Sequence, residues 1–134
     1  MFVDACAIIA LLSDEPEAER VSDALVQAGR RMTSPVAVLE AALGLARPDK
    51  FGLSVEAVEP LILEFLDERG IEIADLPPAM ETTRLALSAA HRYRGGRHGL
   101  NLGDCLHYAC AKFYDVPILA TDDEFRQTDL ETVP

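Results

Sequence analysis

The sequence predicts an α/β domain of three layers, in which helices flank a short and mainly parallel β-sheet. Short apolar segments suited to buried strands alternate along the chain with longer segments that carry helical periodicity or helix-start signals. The 134 residues fit one domain, and neither an internal repeat nor an inter-domain linker interrupts them. We therefore expect a single domain over residues 1–134.

The predicted strands are short because each is bounded by a turn-forming residue, a charged residue or a helix start. They are expected at residues 2–3, 31–33, 71–76 and 116–121. The predicted helices cover residues 5–12, 14–28, 36–46, 54–69, 79–93 and 101–114. The tail, residues 124–134, is polar and is expected to be irregular.

Local start and stop signals place several of these helices. Ser34 followed by Pro35 is typical of an N-cap serine with proline at the first helical position. Ser54 opens the next predicted helix and Gly70 closes it. Asn101 suits an N-cap, since its side-chain oxygen can accept a hydrogen bond from a first-turn N–H group.

The charge balance narrows the partners that the surface can bind. The formal net charge of −11 argues against broad electrostatic binding to nucleic acid, and with 12 Lys and Arg any phosphate contact must be local. The negative net charge is compatible with a carboxylate cluster that metal ions neutralise, or with a basic protein partner.

Three cysteines without a C-x-x-C pair are typical of a reducing compartment. The start of the chain lacks a signal-peptide pattern, and no apolar run reaches the roughly 18 residues of a membrane span. We expect a cytoplasmic protein without a membrane partner.

Four acids from distant parts of the chain are predicted to meet at one edge of the sheet. Asp4 follows the first strand, Asp122 follows the last of the predicted strands, and Asp104 lies in the first turn of a helix. Glu40 is the one charged residue of the helix at 36–46. Ligands of open α/β sheets bind beyond the carboxyl ends of the strands. Clustered carboxylates repel one another unless cations neutralise them, and oxygen ligands with open positions suit Mg²⁺ or Mn²⁺.

Each of these residues also has a purely structural interpretation. Asp4 and Asp122 could be solvated turn residues, Asp104 could only complete a helix cap, and Glu40 could form a buried ion pair with an arginine such as Arg84. His107 lies one turn after Asp104 and is either a metal ligand or a core histidine with one hydrogen bond.

A basic loop precedes the helix that carries Asp104. Arg92, Arg94, Arg97 and His98 form this cluster, which could hold a phosphate group or could be a solvated loop. We predict Arg94 and Arg97 as substrate-binding residues.

Four motifs together resemble the PIN-domain ribonucleases of the VapC type, the toxin half of a bacterial toxin–antitoxin pair. They are Met-Phe-Val-Asp4-Ala-Cys-Ala, Glu40 after Ser34-Pro35, Leu-Gly-Asp104-Cys, and Ala-Thr-Asp122-Asp-Glu-Phe125. The resemblance covers nearly the whole chain. It implies a PIN-like fold and metal-dependent cleavage of RNA by the acidic quartet Asp4, Glu40, Asp104 and Asp122. It also implies that Asp4, Asp104 and Asp122 bind Mg²⁺ or Mn²⁺, that the chain forms a homodimer, and that an antitoxin protein inhibits it.

The sequence departs from the family pattern at two places. Cys6 stands where the family usually has serine or threonine, and a thiol is a weaker hydrogen-bond partner for a carboxylate or a water molecule. The fourth acid has three adjacent candidates, Asp122, Asp123 and Glu124, of which Asp122 comes first after the strand.

Two other functional classes remain open at this point. A catalytically silent protein that keeps the fold for binding is favoured only by Cys6. A phosphoacceptor signalling domain has a similar length, but it would need an aspartate pair after the first strand and a lysine after the last.

Overall fold

A five-stranded parallel sheet of strand order β3-β2-β1-β4-β5 forms the centre of the molecule. The computed structural model describes all residues, 1–134. The strands are β1 (Phe2–Val3), β2 (Met32–Thr33), β3 (Glu72–Ile73), β4 (Ile118–Leu119) and β5 (Thr132–Val133). The helices are α1 (Ala5–Leu12), α2 (Ala18–Gln27), α3 (Pro35–Ala46), α4 (Val55–Glu68), α5 (Ala79–Tyr93) and α6 (Leu102–Tyr114), with a 3₁₀ turn at Glu124–Gln127. The predicted three-layer α/β class is confirmed.

Strand β1 is the central strand, and its two residues serve two different cores. Phe2 is paired with Met32 on one side and with Ile118 on the other. Because successive side chains of a strand point to opposite faces, Val3 packs in one apolar cluster and Phe2 in the other. The first cluster is covered by α1, α2, α3 and α4, and the second mainly by α5 and α6. This arrangement fixes Asp4, the next residue, at the carboxyl edge of the sheet.

The predicted helix starts at Ser34, Ser54 and Asn101 are confirmed. The Oγ of Ser34 accepts from the Ala37 N–H group at 3.2 Å, and the Oγ of Ser54 accepts from the Ala57 N–H group at the same distance. Gly70 has a φ of +62°, which explains why glycine follows the end of α4.

The irregular tail expected at residues 124–134 is wrong. Strand β5 extends the sheet beside β4, where the Ile118 N–H donates to the Glu131 carbonyl at 2.9 Å and the Ala120 N–H donates to the Val133 carbonyl at 2.9 Å. Two paired residues carry too little periodicity to distinguish a strand from a loop, so the pairing partner determines this element.

The observed bounds of two elements, α2 and β3, also differ from those predicted. Helix α2 begins at Ala18 rather than near Asp14, because Asp14 has a φ of +52° that a helix cannot include. The strand expected over residues 71–76 pairs only at Glu72 and Ile73, at the edge of the sheet where both residues are exposed.

None of the six helices combines the length and the apolar character that a membrane crossing requires.

Candidate metal centre

Three side chains meet beyond the carboxyl end of β1. Asp4, Asp104 and His107 each offer one possible ligand atom, and these three atoms lie within 4.8 Å of one another. Asp4 comes from the end of β1, whereas Asp104 and His107 come from the first two turns of α6. The predicted meeting of Asp4 and Asp104 is therefore observed.

Asp4 is 5% exposed and has one satisfied and one unsatisfied oxygen. Its Oδ2 accepts from the Cys6 N–H at 3.0 Å and so caps α1. Its buried Oδ1 has no hydrogen-bond partner and lies 3.7 Å from Nε2 of His107. A buried carboxylate oxygen without a donor is costly, and a divalent cation would satisfy it. The donor set thus fits a metal ion.

Asp104 closes a capping box at the start of α6. Its Oδ2 accepts from the Asn101 N–H at 2.8 Å, and its own N–H donates to Oδ1 of Asn101 at 2.9 Å. Burial raises the pKa of the Asp104 carboxyl to about 6; the Asn101 N–H opposes this shift, and the charge of Asp4 adds to it. The cap holds the carboxylate in place, while its surroundings disfavour the anion unless a cation is near.

Glu40 reaches the cluster through His107. The Oε2 of Glu40 is hydrogen-bonded to Nε2 of His107, so the ion pair with an arginine such as Arg84 is not formed. The Glu40 side chain is 36% exposed, and the expectation of a buried glutamate holds only in part. Gly103 allows the Glu40 carboxylate to approach the first turn of α6, because a Cβ at this position would lie 2.2 Å from Oε1 of Glu40.

His107 is fully buried and stacks on Phe2 with a centroid separation of 5.8 Å. Burial alone would lower the pKa of its imidazole. The hydrogen bond to Glu40 and the charges of Asp4, Glu40 and Asp104 overcome that effect and raise this pKa above its ordinary value. His107 therefore matches the expected core histidine with one hydrogen bond, and it also lies among the acids.

The three acids after β4 have different surroundings. Asp122 is exposed and lies outside the group formed by Asp4, Asp104 and His107. Its carboxyl pKa is raised by burial and by the charges of Glu124 and Asp4. Asp123 faces Arg126 at 3.5 Å, whereas the charge of Glu124 also contributes to the raised pKa of Asp104. The choice of Asp122 as the fourth acid stays a prediction.

The predicted substrate-binding arginines are both exposed and form no ion pair. Arg94 is the C-cap of α5, directly after its last residue, and its charge acts on the Cys105 thiol in the first turn of α6. Arg97 follows in the loop. Two further cations, Arg47 and Lys50, lie between α3 and α4 and are not among the predicted site residues. In the sequence they follow directly after the helix that carries Glu40.

The chain is similar in sequence to known proteins over nearly its whole length. A family model described as PIN domain matches residues 1–131. The chain is 37% identical over 136 residues to ribonuclease VapC30 of Mycobacterium tuberculosis, with 99% of this chain and 98% of that protein covered. It is 35% identical over 136 residues to a ribonuclease VapC of Mycolicibacterium smegmatis, with 99% of each covered.

Two solved structures show the same fold at low sequence identity. The crystal structure of Mycobacterium tuberculosis VapC20, described as a sarcin-ricin loop cleaving toxin, has a TM-score of 0.75 at 15% identity and covers 99% of this chain and 98% of that chain. VapBC2 from Rickettsia felis, bound to a promoter DNA fragment, has a TM-score of 0.70 at 14% identity and covers 98% and 95%. The fold, the acids at the sheet edge and the whole-length relatives lead to one conclusion: the chain belongs to the PIN-domain family and, within it, to the VapC ribonucleases.

Proposed function

We propose that this chain hydrolyses RNA phosphodiester bonds with Mg²⁺ or Mn²⁺ and acts as the toxin of a toxin–antitoxin pair. The observation that carries the proposal is the pair Asp4 and Asp104. One presents a buried carboxylate oxygen without a partner, and the other has a carboxyl pKa raised to about 6. Both features describe a site that is incomplete without a cation.

Asp4 and Asp104 would hold the ion, and Asp122 would add a weaker ligand from the loop after β4. Oxygen ligands of this kind suit Mg²⁺ or Mn²⁺. A divalent cation in such a site neutralises phosphate charge and lowers the pKa of a coordinated water molecule.

The chain's own residues set the geometry around that site. The capping box holds Asp104, the N–H of Cys6 holds Asp4, and His107 holds the Glu40 carboxylate against the first turn of α6. Glu40 would thereby complete the acidic quartet as a catalytic residue that orients water. Arg94 and Arg97, beside the start of α6, would contact the RNA backbone.

Water is the proposed nucleophile, and no covalent intermediate with the protein forms. Cys6 is the nucleophilic side chain next to Asp4. Burial and the charge of Asp4 raise the pKa of its thiol strongly, which keeps it protonated and unreactive.

An antitoxin protein is the proposed partner, and a homodimer is the proposed assembly. Solved structures of similar fold include a toxin–antitoxin complex from Klebsiella pneumoniae, and the net charge of −11 suits a basic segment of such a partner. Leu87 on α5 and Leu102 at the start of α6 are 66% and 75% exposed, and a second copy would cover them. The three free cysteines support a reducing, cytoplasmic location.

The alternative is a catalytically silent protein that keeps the fold for binding. Cys6 favours it, because its Sγ accepts from the Thr121 N–H at 3.2 Å in the place where a hydroxyl group would bind more strongly. Activity measurements separate the two functions.

The test is cleavage of labelled RNA by purified protein with Mg²⁺, with Mn²⁺ and with EDTA. Asp4→Asn and Asp104→Asn should abolish cleavage. Asp115→Asn removes the same charge at the opposite end of α6, at a φ of +53° that asparagine tolerates, and should leave cleavage unchanged. Cleavage that persists in EDTA or in both site variants would contradict the proposal.

A further inference from the structure

A cavity of about 300 Å³ opens directly beside the acidic cluster. Its walls come from α1, from the C-terminal end of α3 and from the loop after β4. Cys6, Thr121 and Asp122 line it on the side of the cluster, and Arg47 and Lys50 also line it. The sequence analysis assigned no role to either cation.

The cavity and the metal centre are joined physically. The Thr121 N–H donates to Sγ of Cys6 at 3.2 Å, which ties the loop after β4 to the first turn of α1. Cys6, which lines the cavity, also donates its backbone N–H to Oδ2 of Asp4 at 3.0 Å. The wall of the cavity is therefore in direct contact with the acidic cluster.

In this structure both cations of the cavity form ion pairs with carboxylates. Nη2 of Arg47 lies 2.8 Å from Oδ2 of Asp49, and the Lys50 ammonium group is paired with Oε1 of Glu15. The Arg47 side chain is 64% exposed, so its pair with Asp49 is weak and is readily exchanged for another anion. Guanidinium and ammonium groups bind phosphate oxygens through charge-assisted hydrogen bonds, as they bind carboxylates.

A chain with a net charge of −11 repels RNA unless positive charge is placed next to the scissile bond. Arg47 and Lys50 can supply such charge at the edge of the acidic cluster once their carboxylate partners have been displaced. The residues that line the cavity include no aromatic side chain on which a base could stack, so its chemistry matches the backbone and not the bases.

We infer that this cavity is a subsite for an RNA backbone phosphate adjacent to the scissile one, bound by the Arg47 guanidinium and the Lys50 ammonium groups. The inference rests on the proposed ribonuclease function. Asp49 and Glu15 occupy the cations when RNA is absent, and the phosphate displaces them. Contacts of this kind position the substrate and carry no sequence preference.

Substitution of Glu15 tests the subsite through the direction in which KM for RNA changes. If phosphate and Glu15 compete for Lys50, Glu15→Gln should lower KM for RNA, whereas Lys50→Gln should raise it roughly tenfold with kcat unchanged. Arg47→Gln should act as Lys50→Gln does. If the Glu15–Lys50 pair only stabilised the fold, both substitutions would impair the protein in the same direction.

Binding measurements provide a second readout that does not depend on cleavage. In an Asp104→Asn background, the affinity for a fluorescein-labelled single-stranded RNA of mixed sequence is measured by anisotropy at several KCl concentrations. Each lost phosphate contact should reduce the slope of log K against log salt by about 0.7. Arg20→Gln, which removes a cation from the exposed face of α2 outside the cavity, is the matched control and should leave the salt slope unchanged here and KM unchanged in the cleavage assay.

The outcomes distinguish this inference from the proposed function. Failure of the unsubstituted protein to cleave any RNA with either metal would overturn the function, and the binding series would still decide on the subsite. Cleavage by the unsubstituted protein, together with Arg47→Gln and Lys50→Gln variants that match Arg20→Gln, would overturn the subsite alone. Thermal melting of every variant identifies losses that come from unfolding.

Discussion

Glu40 and His107 lie 67 residues apart in the sequence, and a hydrogen bond joins Oε2 of the first to Nε2 of the second. This bond connects the middle of α3 to the second turn of α6. It holds a partly exposed carboxylate beside Gly103 in the first turn of α6, with a fully buried imidazole as its support. The Glu40 carboxylate is thus positioned by a residue that is not acidic.

His107→Ala should lower RNA cleavage about 10–100-fold, because the Glu40 carboxylate loses the group that orients it. His107→Gln, which keeps one N–H donor, should recover part of that loss. In a Glu40→Gln background the same His107→Ala change should have little further effect on kcat. Independent, additive losses would show that His107 does not act through Glu40. His91→Ala, on the exposed side of α5, is the control.

The raised pKa of Asp104 predicts how stability depends on pH without metal. The folded protein binds this proton more tightly than the unfolded chain does, since the carboxyl pKa is about 6 rather than the ordinary 3.8. The stability from this group is therefore complete below about pH 4 and is lost as the pH rises through 6. In EDTA, the melting temperature should change less between pH 5 and pH 7.5 for Asp104→Asn than for the unsubstituted protein. An equal change in the two proteins would contradict the raised pKa of Asp104.

Gly103→Ala should separate activity from stability. The new Cβ would lie 2.2 Å from Oε1 of Glu40, so the carboxylate must move toward solvent. A displacement of this size costs up to about a hundredfold in rate, whereas replacing a helical glycine by alanine stabilises a helix by roughly 0.5–1 kcal/mol. We expect a large loss of cleavage at nearly unchanged melting temperature. Gly95→Ala, with nothing within 4 Å of its Cβ, is the control.

Two substitutions of Asp4 should differ in stability although both remove the carboxylate that we propose as a metal ligand. Asparagine keeps an oxygen that can accept from the Cys6 N–H, whereas alanine leaves α1 without its N-cap. Urea unfolding in EDTA should place Asp4→Ala about 1 kcal/mol below Asp4→Asn. Identical unfolding curves would show that the cap contributes nothing.

Asp129 should anchor the tail to α6. Its Oδ1 accepts from the Tyr108 hydroxyl at 2.8 Å, and its Oδ2 lies 3.0 Å from the Lys112 ammonium nitrogen. Asp129→Ala leaves the hydroxyl of a buried tyrosine without its acceptor and should lower the free energy of unfolding by about 1–3 kcal/mol. In a Tyr108→Phe background, Asp129→Ala should lower the free energy of unfolding by a smaller amount. If the loss were equally large in both backgrounds, the Tyr108 hydroxyl would not contribute.

Helix caps and strand-end acids could be predicted from the sequence because they depend on neighbours within a few residues. Asn101 and Asp104 are three positions apart, and their capping box follows from that spacing. Asp4 is the residue directly after β1, so it lies at the carboxyl end of that strand whatever position the strand takes in the sheet. The meeting of Asp4 with Asp104 then follows from the parallel sheet.

Interactions between distant segments could not be predicted in this way. The sequence suggests an arginine as the partner of Glu40, whereas the structure pairs Glu40 with His107, because sequence alone gives no preference between a guanidinium and a buried imidazole. Strand β5 was missed because its two residues form a strand only when β4 lies beside them. The pairing of Glu15 with Lys50 depends on the approach of the start of α2 to the end of α3, which no local pattern encodes.

The central position of β1 has a consequence for the folding kinetics of the protein. Cys6 and Thr121, which flank the acidic cluster, touch across 115 residues of chain, so the site closes a very long loop. Parallel pairings of this kind form slowly, and no short fragment contains both sides of the cluster. Asp4 and Asp104, the proposed metal ligands, come together only when α6 has packed beside β1. A bound cation would therefore slow unfolding more than it would speed folding.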